Sequence, residues 1–216
     1  MSAPSPSRRP IGLAPGAPEA AAGQDAKKYS TSNPVVLRLI DRWADALRDV
    51  IGEPVAGGTV VDIGVGEGLA LERVLGASVP VIGVEYRLDK VQLATERLAG
   101  LRGVVADAGM VPLTDGCADL VTSIEVLEHL VDPAAAVDEF ARLSRGRVVV
   151  SVPWEPWFRA GNMGRGKNLC RFGNDPEHVQ QFSSRRLRAL LAGRFASVDV
   201  RPSFPWLIAS ACDPRP

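Results

Sequence analysis

Three observations predict an α/β domain whose parallel sheet is covered by helices on both faces. Short β-branched runs alternate with stretches of helical spacing from residue 59 onward. Alternate glycines join the first apolar run to the first helical one, in Thr59-Val60-Val61-Asp62-Ile63-Gly64-Val65-Gly66-Glu67-Gly68. Acidic residues then close successive apolar runs, at Asp62, Glu85, Asp107 and Glu125. Strand-like runs lie at 59–63, 79–84, 103–106, 118–123 and 147–152, and helix-like segments at 68–76, 88–99 and 133–144. In such sheets ligands sit at the carboxyl ends of the strands, where these glycines and acids fall.

The flanking segments complete the chain. Residues 1–28 are rich in Pro, Ala, Ser and Gly without periodicity, and are expected to form a disordered tail; the domain is expected to run from 29 to 216. Asn33-Pro34 offers a cap and a first-turn proline. Val36, Leu39, Ile40, Trp43, Leu47 and Val50 follow at helical spacing, a stripe that reads as core contact. Just before it, Tyr29 has two readings: it folds over a bound ligand, or it is an ordinary surface tyrosine. Ser183-Ser184 opens a last helix through Leu191, and runs at 196–200 and 206–211 read as two closing strands.

Composition narrows the function. The formal net charge is +0 over 216 residues, so no global field recruits nucleic acid or an anionic membrane. No apolar stretch approaches the roughly 18 residues of a membrane span, and the N-terminus lacks the apolar core of a secretion signal, so a cytoplasmic protein is expected. Cys117, Cys170 and Cys212 have no CxxC spacing and fit ordinary thiols.

The glycine turn carries the main chemical clue. Gly64, Gly66 and Gly68 allow tight dihedrals and close approach of a ligand to the backbone around Val65. A turn built for pyrophosphate uses bare N–H groups, and carboxylates there would repel phosphate. Asp62 and Glu67 therefore suit a ligand carrying positive charge, such as an ammonium or a sulfonium, and oppose a nicotinamide dinucleotide. Glu85, 23 residues beyond Asp62, can accept both hydroxyls of a ribose. Asp107, beside Ala108, can accept a hydrogen bond from an adenine exocyclic amine.

These residues resemble a known family. Val60 to Gly68, then Gly83-Val84-Glu85 and Ala106-Asp107-Ala108, are similar to the class I S-adenosylmethionine-dependent methyltransferases. Pro112-Leu113-Thr114-Asp115-Gly116-Cys117-Ala118-Asp119-Leu120-Val121, with Glu125-Val126-Leu127-Glu128-His129-Leu130, resembles their type 11 subgroup; Ala118 departs from it, since an aromatic usually precedes that Asp. The resemblance implies a Rossmann-like three-layer sandwich with a seven-stranded, mostly parallel sheet and one antiparallel strand at the edge. It also implies an S-adenosylmethionine cofactor, with methionine contacts near Asp62 and Gly64, ribose contacts at Glu85, adenine contacts at Asp107 and Ala108, and Tyr86 beside the adenine.

The acceptor side rests on both histidines, His129 and His178. Glu125, Glu128 and His129 share one face if the fourth strand passes into a helix. With His178 they could hold a divalent metal of the magnesium type, as the same spacing does in ubiquinone-pathway O-methyltransferases. The alternative is a metal-free site in which Glu128 and His129 hold the helix start and His129 serves as base or acceptor-orienting residue, as the resemblance also implies.

Residues 153–182 are too long for a plain crossover and read as a lid. Trp154 offers an apolar wall, while Arg159, Asn162, Lys167, Arg171 and His178 would meet an anionic or sugar-like acceptor. The competing reading is a solvated basic loop. The expected activity is methyl transfer to a small molecule, at a hydroxyl oxygen first, at nitrogen or carbon otherwise; a non-catalytic cofactor-binding subunit is the other class.

Overall fold

A computed structural model describes residues 32–53, 57–155, 157 and 179–215. Helix α1 (Pro34–Ile51) opens as expected, with the Asn33 side chain accepting from the N–H groups of Val35 and Val36 and a proline in the first turn. The rest follows as β1 (Val60–Ile63), α2 (Leu69–Leu75), β2 (Val81–Glu85), α3 (Leu88–Arg97), β3 (Leu101–Val105) and β4 (Ala118–Ile124). A single 3-10 turn (Leu127–His129), α4 (Pro133–Leu143), β5 (Ser144–Pro153), α5 (Ser184–Ala192), β6 (Phe195–Ser203) and β7 (Trp206–Pro214) complete it.

The seven strands form one sheet in the order β3-β2-β1-β4-β5-β7-β6. β1 to β5 run parallel, and β7 runs antiparallel to both of its neighbours. The opposed strand thus lies one place in from the rim. The reason is local: β6 and β7 are joined by a tight turn, so β7 must reverse, and its apolar side chains find better burial beside β5 than β6's do.

Alternation along the strands fills two cores. Val61 and Ile63 of β1, Val121 of β4 and Val148, Val150 and Val152 of β5 meet α4 and α5 on one face. Val60, Leu120, Val149 and Ile208 meet α1, α2 and α3 on the other. The stripe of α1 is core contact, with Ile40, Trp43 and Leu47 buried, and Ala118 lies buried in the first core. No helix of the described residues is long and apolar enough to cross a membrane.

This topology positions the site. β1 and β4 are neighbours, but the chain moves outward from β1 to β2 and β3 before returning to β4. Connections therefore diverge above the β1–β4 pair, leaving a crevice at its carboxyl end.

Candidate active site

The glycine turn lies at that crevice. Gly64, Gly66 and Gly68 all have positive φ, and a Cβ at Gly64 would stand 2.3 Å from Val126 Cγ2. The N–H groups of Gly64 and Val65 both donate to the Val84 carbonyl, at 2.7 and 3.0 Å, which fastens the turn to β2. At the end of β2, Glu85 Oε2 accepts from the Gly66 N–H at 3.2 Å and Oε1 from the Arg87 N–H at 3.0 Å. A carboxylate can accept about four hydrogen bonds, so Glu85 is oriented by the backbone with capacity left for two ribose hydroxyls. Tyr86 follows it with 54% of its surface exposed, open to a stacked ring.

Asp107 is built into a turn after β3. Its Oδ1 accepts from the Gly109 N–H at 2.8 Å, and the Met110 N–H donates to its carbonyl at 3.0 Å. Its Oδ2 is buried without a partner among the described residues. A buried carboxylate oxygen in that state is costly unless a donor reaches it, which an adenine amine would do. Together with the glycine turn and the backbone-oriented Glu85 at the adjacent strand ends, this fits the nucleoside and cationic chain of S-adenosylmethionine.

Asp62, expected to face a ligand carrying positive charge, is enclosed by the sheet. It is 2% exposed, and it accepts from the Thr122 hydroxyl at 2.6 Å across the β1–β4 register. Burial pushes its carboxyl up to about 7; the Thr122 hydrogen bond pulls the other way, and the Glu85 charge adds to the rise. Near neutral pH it is therefore only partly ionised. Glu67 is buried as well, and its carbonyl accepts from Arg97 Nε at 3.1 Å.

On the acceptor side, the expected shared helical face of Glu125, Glu128 and His129 does not form. Glu125 has φ +58, the left-handed region, and only a 3-10 turn follows. Glu125 is held by its N–H on the Ser151 carbonyl at 2.8 Å, while Oε1 accepts from the Trp206 indole at 2.6 Å. Glu128 is buried, and its carbonyl accepts from the N–H groups of Val179 and Gln180. Among the described residues no His, Cys, Asp and Glu side chains gather as a metal-ligating group. His129 is half-buried on the same turn.

Trp154 stands at the end of β5. Its ring meets Trp157 edge-on at 6.4 Å, and Trp157 meets Phe204 at 6.3 Å, making an exposed aromatic rim. Tyr29, Arg159, Asn162, Lys167, Arg171 and His178 lie outside the described residues. The structure adds Thr122, Val126 and Trp206 to the site. None had a sequence signal, because each acts on a residue distant in the chain.

The sequence profile of the methyltransferase-domain family matches residues 36–194. A Mycobacterium tuberculosis protein described as a probable S-adenosylmethionine-dependent methyltransferase is 27% identical over 193 residues, covering 82% of this chain and 68% of that protein. A ubiquinone biosynthesis O-methyltransferase of Thiobacillus denitrificans is 33% identical over 117 residues, or 51% of this chain. The chain spans about half the length of such relatives, 46% of this one and 57% of a demethylmenaquinone methyltransferase of Renibacterium salmoninarum. Among solved structures, a SAM-dependent methyltransferase of Thermotoga maritima superposes with a TM-score of 0.64 at 19% identity, over 81% of this chain and 88% of that one, a likeness of fold.

Proposed function

For a chain that belongs to the S-adenosylmethionine-dependent methyltransferase family, we propose that it transfers a methyl group to a hydroxyl oxygen of a small, partly apolar acceptor. One observation supports the methyl donor most: backbone-oriented Glu85, the glycine turn and the half-satisfied Asp107 line up on three adjacent strand ends. In this reading Glu85 takes the ribose, Asp107 and Ala108 the adenine edge, Tyr86 its face, and Asp62 with Gly64, Val65, Gly66 and Gly68 the methionine part.

The cofactor, when bound, supplies a methyl group already activated on a sulfonium. The protein's task is then alignment, which can contribute roughly 7–11 kcal/mol. A hydroxyl acceptor also needs its proton removed as the bond forms. His129 is the side chain assigned to that role, with Glu125 orienting the acceptor from the neighbouring turn. The rim of Trp154, Trp157 and Phe204 suits an aromatic or aliphatic part of the acceptor. As a lid, residues 153–182 would bring Arg159, Asn162, Lys167, Arg171 and His178, which lie outside the described residues, to polar groups of the acceptor.

The test is incubation with methyl-labelled cofactor and a panel of phenols, catechols, quinols and sugar-like alcohols, with the product's methyl position read by NMR. An O-methyl product is expected. A product labelled at nitrogen or carbon, or no transfer across the panel and a cell extract, would overturn the reading. In the first case His129→Ala should lower kcat by about 100-fold or more and leave cofactor affinity within about twofold.

A further inference from the structure

The crossover from β3 to β4 has an unusual construction. Segment 106–117 crosses the face that α4 and α5 cover, yet it forms no helix. Its Val111 is buried in that core, with Leu113 packed against it. A buried segment without helix or strand must find partners for its backbone groups elsewhere. Here two side chains of α4 supply them. Glu139, 2% exposed, accepts from the Val111 N–H at 3.0 Å. Arg142 donates to the carbonyls of Val111 and Leu113 at 2.9 and 2.8 Å and to Asp115 at 2.6 Å.

The pair is itself locked. Arg142 Nε and a terminal nitrogen donate to the two carboxylate oxygens of Glu139 at 2.9 and 2.7 Å, a bidentate fork that lysine cannot reproduce. Glu139 above all holds the Arg142 guanidinium above its ordinary pKa, so the guanidinium stays charged throughout the physiological range. The Arg142 carbonyl also accepts from the Gly116 N–H at 2.8 Å. α4 thus grips the segment at 111, 113 and 116. Its near end is the turn of Asp107 to Met110, only one residue before Val111.

We propose that Glu139 and Arg142 set the purine preference of the site, by fixing the segment so that the buried Oδ2 of Asp107 faces the exocyclic amine. They are positioning residues: Asp107 reads the ring, and they act through it. This rests on the nucleoside reading given above. An oxygen at the amine position would confront a carboxylate with a second acceptor, so a fixed Asp107 rejects it and a loosened one tolerates it.

The experiment is calorimetric titration with S-adenosylhomocysteine and S-inosylhomocysteine, which differ at that purine position. The wild-type protein is expected to prefer the adenine compound by roughly tenfold or more, the range of a hydrogen bond to a charged group. Arg142→Lys and Glu139→Gln should each cut the preference to about threefold or less, while binding of the inosine compound stays within about twofold of wild type. General loosening would weaken both ligands alike. Asp107→Ala separates the two readings. If the wild type shows no preference, or Asp107→Ala retains it, the nucleoside assignment fails. If Asp107→Ala loses the preference and both α4 variants keep it, the positioning role is overturned. Should neither variant fold, amide exchange on the wild type decides: the Val111 N–H should slow more with the adenine ligand than with the inosine ligand at equal saturation, and equal slowing overturns the proposal.

Discussion

Asp62 sits in the middle of a sheet, 2% exposed, with one hydroxyl to stabilise its charge. Its native pKa of about 7 lies above the ordinary value of 3.8. Between those pH values the native state holds a proton that the unfolded chain has released. The stability this proton contributes is present below about pH 4 and is lost as the pH rises through about 7. About three pKa units correspond to roughly 4 kcal/mol. Asp62→Asn keeps an oxygen for Thr122 and cannot ionise. We therefore expect its stability over wild type to grow from pH 4.5 to 7.5 and then level off, approaching about 4 kcal/mol as an upper bound. Urea unfolding across that range checks it, and a pH-independent difference would rule the linkage out. The same proton opposes a cationic ligand. S-adenosylhomocysteine, with its ammonium, should bind wild type more tightly as the pH rises through about 7, and the variant should lack that dependence.

The turn from β1 to α2 packs so closely on Val126 that a side chain at Gly64 has no room. Gly64→Ala combines a strained φ of +84 with a Cβ placed 2.3 Å from Val126 Cγ2. Gly57→Ala meets the same kind of strain, at φ +74, with nothing within 4 Å of its Cβ. The difference between the two isolates the collision. Both should lose about 1–2 kcal/mol from strain, and Gly64→Ala should lose a further 1–3 kcal/mol, roughly, as Val126 is displaced. It should also lose at least about tenfold in S-adenosylhomocysteine affinity, whereas Gly57→Ala keeps it. Equal effects would show that φ alone governs. This turn was legible in the sequence, since spacing of glycines and the period of apolar residues are local properties. Strands and helices were legible for the same reason. Glu125 was not: its left-handed φ and its bond to Trp206 depend on a strand 81 residues away. Nor was the burial of Asp62, which follows from β4 returning to pair with β1. The Glu139–Arg142 pair did have a signal, its i, i+3 spacing on α4, but its target on the 106–117 segment did not.

Across the domain, the groups assigned to the methyl donor come from the ends of β1, β2 and β3, and those assigned to the acceptor from the ends of β4 and β5. Several of them are joined by hydrogen bonds that cross the sheet: Gly64 to Val84, Gly66 to Glu85, Asp62 to Thr122 and Glu125 to Trp206. Most of these crossings exist only in the folded sheet, so the ligand should bind the native state and ignore the unfolded chain. Such a ligand stabilises by RT ln(1 + [L]/Kd), about 2.7 kcal/mol at a hundredfold excess over Kd. A domain of this size gains about 2–4 °C in Tm per kcal/mol, which gives a shift of roughly 5–10 °C with S-adenosylhomocysteine. The acids around the glycine turn disfavour phosphate, so NADH at the same concentration should leave Tm unchanged within about 1 °C. A thermal melt with each ligand separates the cases. A rise with NADH and none with S-adenosylhomocysteine would mean that the turn accepts a pyrophosphate in spite of Asp62 and Glu67, and the charge argument for the donor site would fall with it.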